Sequence, residues 1–271
     1  MRVGIAGTQT TELVAKSIKE TLSDVGFESF YFKNNSKVTM ADLVIVLGGD
    51  RGVRNYFHST LDADTPVLGV SESESNGVLA QIELKELPSY LNRIKKQDYV
   101  IEDVPRIGVK IDGKNTYPVL NDVAVFTSKS ATLMEHVLRV NGEEVWHDSS
   151  DGVIISTPIG SSAYSMSAGG PIIFQAANVF GIISVNSLDI TRRPIIVSDN
   201  SIIEIDEISS RLHCDVVLDG IDRLKINNKL EATRFAPPAR IIRMKSDSTA
   251  ISALANKVKL AEELLSMPPS S

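Results

Sequence analysis

An α/β amino-terminal domain with a Rossmann-like parallel sheet, followed by an all-β carboxy-terminal domain, is the fold class the sequence predicts. Three observations carry it. Apolar runs alternate with helix-period segments up to residue 97, strand follows strand beyond 98, and 271 residues are enough for two cores. The expected divisions are 1–97 (α/β), 98–245 (β-rich) and a helical tail, 246–271, packing back on the body.

The elements follow in order. RVGIA (2–6) is a short β-branched run, and Gly7 to Thr11 supply turn and cap material. Leu13, Val14, Ile18, Leu22 and Val25 then recur at helical spacing, and Gly26 closes the segment. FESFYF is a second strand, the polar NNSK a loop, and Asp42 to Leu47 a third strand. TPVLGV (65–70) is a further buried strand, with the SESESN loop behind it. LKELPSYLNRIKK (84–96) is a helix whose regular part starts at Pro88, a residue suited to a first helical turn.

From residue 98 the pattern changes. YVIEDVPRIGVKIDG, NTYPVLNDVAVFT, HVLRVNGEEVWHD and DGVIISTP are strands separated by Asp-Gly, Asn-Gly or Pro. GIISVNS, PIIVSDN, IIEIDEI, HCDVVLDGID and RLKINNK continue the series. Beyond Asp247, helical spacing returns in Ile251, Leu254, Val258, Leu260 and Leu264.

Composition narrows the function. Net charge is −6 with no block of like charges, which speaks against a nucleic-acid surface while leaving room for one basic pocket. Cys214 is the only cysteine, so neither an intrachain disulfide nor a multi-thiolate zinc site can form, and a reducing cytoplasm is the expected setting. No signal-peptide stretch opens the sequence, and the most apolar segment, 171–185, is too short to span a bilayer. No membrane partner is expected.

Three segments could carry chemistry. The first, VIVLGGDRGVRN (44–55), ends a buried strand in Gly48, Gly49 and Asp50, where a parallel sheet binds its ligands. The glycines permit close backbone approach, and Asp50 could deprotonate a hydroxyl or hold a metal. Taken alone, GGD reads better as a strand-ending turn capped by Asp50. The second, SSDGVIISTPIGSSAYSMSAGGPII (149–173), is dense in hydroxyls and glycine between apolar strands, and lacks both a GxSxG elbow and a histidine base. In the third, VLNDVAVFTSK (119–129), Asn121 and Asp122 interrupt an apolar strand and need a partner, either backbone or ligand. Cys214 with its neighbours His213 and Asp215, and Trp146 with His147, read as packing or surface rather than as ligands.

Together these segments resemble the NAD kinase family, in which an α/β domain supplies a GGDG loop and a β-rich domain an Asn-Glu pair and a DG…TPTGSTAY…SAGGP segment. The matches are GGD (48–50), LND (120–122), DGVIISTPIGSSAYSMSAGGPII and RP (193–194), in the family's order, with TPVLGVSESESNGVLAQI similar to its PVLGIN…GFL segment. The resemblance implies phosphoryl transfer from ATP or polyphosphate to the 2′-hydroxyl of the adenosine ribose of NAD, with Mg²⁺ accompanying the donor. Asp50 would accept the hydroxyl proton. Asn121 and Asp122 would hold the adenosine part of NAD, and Asp151 with Ser162, Ala163, Tyr164, Ser165, Met166 and Ser167 would line the dinucleotide pocket. Gly48, Gly49, Arg51 and Arg54 would face donor phosphates. The resemblance also implies a homodimer or homotetramer.

This chain departs from that pattern in places. GGDGT reads GGDRG, so Arg51 stands at a usual glycine unless it is an insertion that shifts Gly52. Asp122 replaces Glu, Ser149 stands where some members have Arg, and Ile221 stands where Gln often follows Asp-Gly. A related lipid or sugar kinase of the GGDG type, and a non-catalytic dinucleotide sensor, are the rival readings.

Overall fold

Strands flanked by two apolar faces become the interior of a sheet, and the run Leu43–Leu47, buried at every position, marks that interior here. A computed structural model describes residues 1–7, 12–32, 41–61, 64–72 and 77–244. The NNSK loop, most of SESESN and the tail beyond 244 lie outside these residues.

The amino-terminal half runs β1 (Arg2–Ala6), α1 (Glu12–Asp24), β2 (Glu28–Phe32), β3 (Leu43–Leu47), α2 (Gly49–Ser59), β4 (Val67–Ser71), β5 (Ile82–Glu83), a one-turn 3₁₀ helix (Leu84–Glu86) and α3 (Leu87–Lys95). Its strands pair in parallel, β4 with β3, β3 with β1 and β1 with β2. Helix α3 begins one residue before Pro88, which occupies its first turn as expected.

The remainder is strand-rich. It runs β6 (Val100–Ile111), β7 (Lys114–Asn115), β8 (Asp122–Thr127), β9 (Met134–Val140), β10 (Glu143–Ser150), β11 (Gly152–Ser156), a 3₁₀ turn (Gly160–Ser162), α4 (Tyr164–Ser167), β12 (Val179–Val185), β13 (Ile195–Ser198), β14 (Ile203–Ser210), β15 (Cys214–Leu218), β16 (Asp222–Ile226) and β17 (Leu230–Arg243). The Asn-Gly signal in HVLRVNGEEVWHD is a hairpin turn between β9 and β10, with Asn141 at φ 55° and Gly142 at φ 82°.

Two sheets result. One is antiparallel, in the order β13-β12-β11-β8-β15-β16. The other is continuous across residue 98: β17 pairs in parallel with β4 through Ile241 and Val67, and antiparallel with β6 and β14. Val109, Leu138 and Ile205 of this sheet pack against Val123, Ile155 and Val216 of the other. A second core packs α1 and α3 on the parallel strands. The third puts Val53 and Tyr56 of α2 together with Val78, Leu79 and Ala80 and with Leu120 and Ile159 from beyond residue 98.

Three elements differ from the sequence expectation. Helix α2 occupies RGVRNYFHS, where no helix was read, because its apolar positions are few and its polar face is met by residues distant in sequence, as described below. Strand β17 runs through Pro237 and Pro238, residues that signal a break. The ladder tolerates them because its register shifts between Phe235 and Ala239, a bulge where no N–H is required. Third, NTYPVLNDVAVFT is not one strand: Asn115 ends β7, Val119 makes one bridge to Ile107, and the regular strand starts only at Asp122. Leu120 and Asn121 leave the ladder.

Candidate functional site

Helix α2 starts directly at the carboxyl end of β3. Gly48 (φ 98°) and Gly49 (φ 64°) turn the chain in a left-handed conformation, and Gly52 lets the helix approach so closely that a Cβ there would lie 2.0 Å from the Leu47 carbonyl oxygen. Gly52 therefore has a packing role of its own. Arg51 is exposed, and its side chain bonds to no described residue.

Asp50, half-buried in the first turn of α2, accepts three backbone N–H bonds. Leu79 (3.0 Å) and Ala80 (2.8 Å) donate to Oδ1, and Val78 (2.9 Å) donates to Oδ2. Gly77 packs against the same group, since a Cβ there would sit 1.8 Å from Oδ1. A carboxylate has about four acceptor directions, so Oδ1 is filled and Oδ2 keeps one lone pair for a ligand. The cradle is held from behind by Arg243, whose Nη1 donates to the Val78 carbonyl at 2.6 Å.

Asn121 and Asp122 sit at the start of β8 and are both buried. Their backbone is fully used. The three N–H groups of residues 120–122 donate to the Asp219 carboxylate at 2.7 to 3.1 Å, and the Asn121 carbonyl accepts from Thr157 N–H at 2.9 Å. The Asn121 side-chain Oδ1 has no partner among the described residues. A buried amide oxygen without a partner is costly and points to a ligand that completes it. Asp219 thus serves the main chain, and the partner that the sequence reading requires for the Asn121 side chain is left open at Oδ1.

Burial, then the neighbouring Asp219 charge, push the Asp122 carboxyl up to about 7, against the pull of Arg54. Burial likewise raises Asp219, while the three N–H bonds and Arg54 oppose it. Arg54 therefore faces these two carboxylates from α2.

The glycine-rich segment folds as a compact shelf beside this pair. Gly160 lies so close to Asn121 that a Cβ would be 1.9 Å from the Asn121 carbonyl oxygen, and Thr157 Oγ1 donates to the Leu120 carbonyl at 2.7 Å. Ser161, Ser162 and Ser165 are buried; Ser161 Oγ donates to Pro158 O (2.6 Å) and Ser162 Oγ to Ile159 O (3.1 Å). Ser167 and Tyr164 are exposed, and Ala163 and Met166 half-buried. The Tyr164 ring lies 5.7 Å from that of Phe126.

Strands β8 and β11 set the length of the arrangement. Ser156 pairs with Asp122 at one end and Gly152 with Phe126 at the other, so Asp151, next to Gly152, stands roughly 16 Å along the strand from Asp122. Asp151 accepts a 2.8 Å bond from Asn186 Nδ2. Tyr164 belongs to the Asp151 end. The predicted residues thus form two stations, Asp50 with Asn121 and Asp122, and Tyr164 with Asp151, spaced for an extended ligand.

Several residues of the site carried no assignment in the sequence reading. Asp219 is one. Another is Arg106, fully buried on β6, which donates to the carbonyls of Phe57 (2.7 Å) and Thr60 (2.8 Å) at the end of α2 and stacks 4.8 Å over Phe235. A third is His58, paired with Asp222. The spacing 50, 54, 58 is a helical stripe that could have disclosed both α2 and its charged face. As expected of adjacent strand residues, Cys214 points inward while His213 and Asp215 approach each other at 3.7 Å. Trp146 packs against the core, with Arg192 5.2 Å over its ring. No group of metal-binding side chains occurs among the described residues, and no described helix is long and apolar enough to cross a membrane.

Residues 120–234 match the family model of the ATP-NAD kinase C-terminal domain. An NAD kinase of Methanopyrus kandleri is 32% identical over 205 residues, 76% of this chain and 74% of that one. An NAD kinase of Clostridium perfringens is 33% identical over 227 residues, 81% of each chain. Among solved structures, an NAD kinase from Archaeoglobus fulgidus in complex with ATP superposes with a TM-score of 0.81 at 24% identity, covering 96% of this chain and 99% of that one. Yeast NADH kinase complexed with NADH gives 0.81 at 18% identity over 100% and 90%. Both share this two-sheet fold.

Proposed function

The chain belongs to the NAD kinase family, and on that premise we propose that it transfers the terminal phosphoryl group of ATP to the 2′-hydroxyl of the adenosine ribose of NAD, making NADP. The observation that carries this reading is the orphaned Asn121 Oδ1 beside the buried Asp122, in one core with the cradle of Asp50.

Each residue then has a task. Asn121 Oδ1 accepts a hydrogen bond from the adenosine part, where a buried unpaired acceptor otherwise costs about 1–3 kcal/mol. Asp122 binds beside it, one methylene shorter than the family's usual Glu. The free lone pair of Asp50 Oδ2 takes the ribose hydroxyl proton as the oxygen attacks the terminal phosphorus, whose bond to the bridging oxygen breaks so that ADP leaves. Tyr164 and Asp151, at the far station, hold the rest of the dinucleotide. Phosphoryl transfer asks mainly for position and charge neutralisation, and a carboxylate fixed by three N–H groups supplies position.

Mg²⁺ belongs to the same proposal as a companion of the donor phosphates. The ion would be held chiefly by the donor phosphates and water, because the one free lone pair of Asp50 is committed to the ribose hydroxyl and Mg²⁺ commonly keeps several waters beside its phosphates. Bound there, it would neutralise charge on the transferred group. Gly48 and Gly49 leave room for those phosphates, with Arg51 exposed at their edge. A homodimer or homotetramer working in the cytoplasm completes the reading. The exposed Phe174, Leu188 and Ile190 support the first, and the lone buried Cys214 the second.

Incubation of the purified protein with NAD, ATP and Mg²⁺, followed by enzymatic assay of NADP, tests the proposal. NADP should accumulate in proportion to enzyme; none formed with ATP or polyphosphate would overturn it.

A further inference from the structure

Asp219 touches no solvent-facing part of the site, yet it organises the residues that do. Its Oδ2 accepts Leu120 N–H (2.7 Å) and its Oδ1 accepts Asn121 N–H (2.7 Å) and Asp122 N–H (3.1 Å). Its own N–H returns to the Asp122 carbonyl at 2.9 Å. These four bonds hold the two residues that leave the ladder and the first that joins it. A carboxylate is suited to the task because it accepts at both oxygens without offering a proton.

The arrangement is costly by itself. Asp219 sits at φ 52°, a left-handed conformation, followed by Gly220 at φ 65°, and its charge is buried next to that of Asp122. Compensation comes from across the molecule. Arg54, half-buried on α2, draws both carboxylates toward their charged forms, and its Nε has no hydrogen-bond partner that would divert it elsewhere. On the same face, one turn before Arg54, lies Asp50; one turn after it, His58 bonds Asp222, three residues beyond Asp219.

We propose that Asp219 is the positioning residue that holds Asn121 and Asp122 in dinucleotide-binding geometry, with Arg54, on the α2 face that His58 fastens to Asp222, as its facing counter-charge. Asp219 does not touch the reacting atoms. It acts through the backbone of residues 120–122, while Arg54 offsets the charge buried there. The inference rests on reading Asn121 and Asp122 as the NAD-binding pair.

The test combines calorimetric NAD binding with steady-state kinetics for wild type, Asp219→Asn, Arg54→Gln and Arg54→Lys, each checked by thermal melting. Asp219→Asn keeps the shape but places an amide donor against donors. It should raise the Kd and KM for NAD by about tenfold or more while KM for ATP stays within about twofold, since small misplacements of binding groups are expensive. Arg54→Gln should act in the same direction, and Arg54→Lys should recover most of the loss. Should Asp219→Asn fail to fold, the Arg54 pair decides. Folded variants whose NAD constants match wild type, or whose NAD and ATP constants rise in parallel, would overturn the inference. Wild type that binds no NAD at all would instead overturn the functional reading on which it stands.

Discussion

His58 on α2 and Asp222 on β16 meet with Nε2 and Oδ2 3.0 Å apart, a bond between the helix that begins with Asp50 and the strand that follows Asp219. The His58 ring is buried and lies 5.2 Å from that of Tyr117. The helix supplying the base is thus fastened to the antiparallel sheet as well as to its own. A double-mutant cycle with His58→Ala and Asp222→Ala, read by urea unfolding, should give a coupling of about 1 kcal/mol, kept modest because Asp222 is partly solvated. A coupling near zero would mean that the contact fastens nothing.

Two glycines make sharper predictions than any polar residue. A methyl at Gly77 would collide with the Asp50 carboxylate, and one at Gly160 with the Asn121 carbonyl. Gly77→Ala should lower kcat by about tenfold or more, because it displaces the proton acceptor. Gly160→Ala should chiefly raise the KM for NAD. Steady-state kinetics with both substrates separates the two outcomes, and identical profiles for the two variants would contradict the separate roles.

Asp122 sets a pH dependence. Its folded pKa, about 7, lies above the usual carboxylate value of 3.8, so the folded state binds the proton more tightly than the unfolded chain does. Stability from this group is fully present below pH 4 and is lost as pH rises through 7, by at most about 4 kcal/mol. Unfolding free energies measured from pH 4 to 8 should show a smaller decline in Asp122→Asn than in wild type. An unchanged slope would contradict the assignment.

Arg106 is pulled by burial to about 10 and remains charged at neutral pH, where it caps the carboxyl end of α2 and stacks between Phe57 and Phe235. A lysine ammonium has no flat face to present to both rings and lacks the second nitrogen with which Arg106 reaches the Leu61 and Pro237 carbonyls. Arg106→Lys should therefore cost on the order of 2–3 kcal/mol in chemical denaturation. A loss below about 0.5 kcal/mol would show that the cap is dispensable.

Much of this architecture is legible in the residues themselves. The all-apolar LVIVL run, the Asn141-Gly142 turn and the proline at the start of α3 each follow from local chemistry, and each appears where that chemistry puts it. Helix α2 was not legible, because the polar residues on its inner face are met by partners 28 to 164 positions away, and periodicity of apolar residues cannot register them. Strand β17 was hidden by Pro237 and Pro238, whose cost the bulge absorbs. Among site residues, Asp50 and Asn121 stand out as polar interruptions of apolar runs. Asp219 does not, since Asp-Gly is an ordinary hairpin signal until its carboxylate is seen accepting three N–H groups from another strand.

The central claim is that Asp50, cradled by residues 78–80 with one lone pair free, accepts the proton of the NAD ribose hydroxyl. Its most direct test compares the kcat of Asp50→Asn with that of wild type under saturating NAD and ATP with Mg²⁺. The account predicts a loss of about 10²- to 10⁴-fold, with NAD still bound. Wild-type turnover in Asp50→Asn would contradict it.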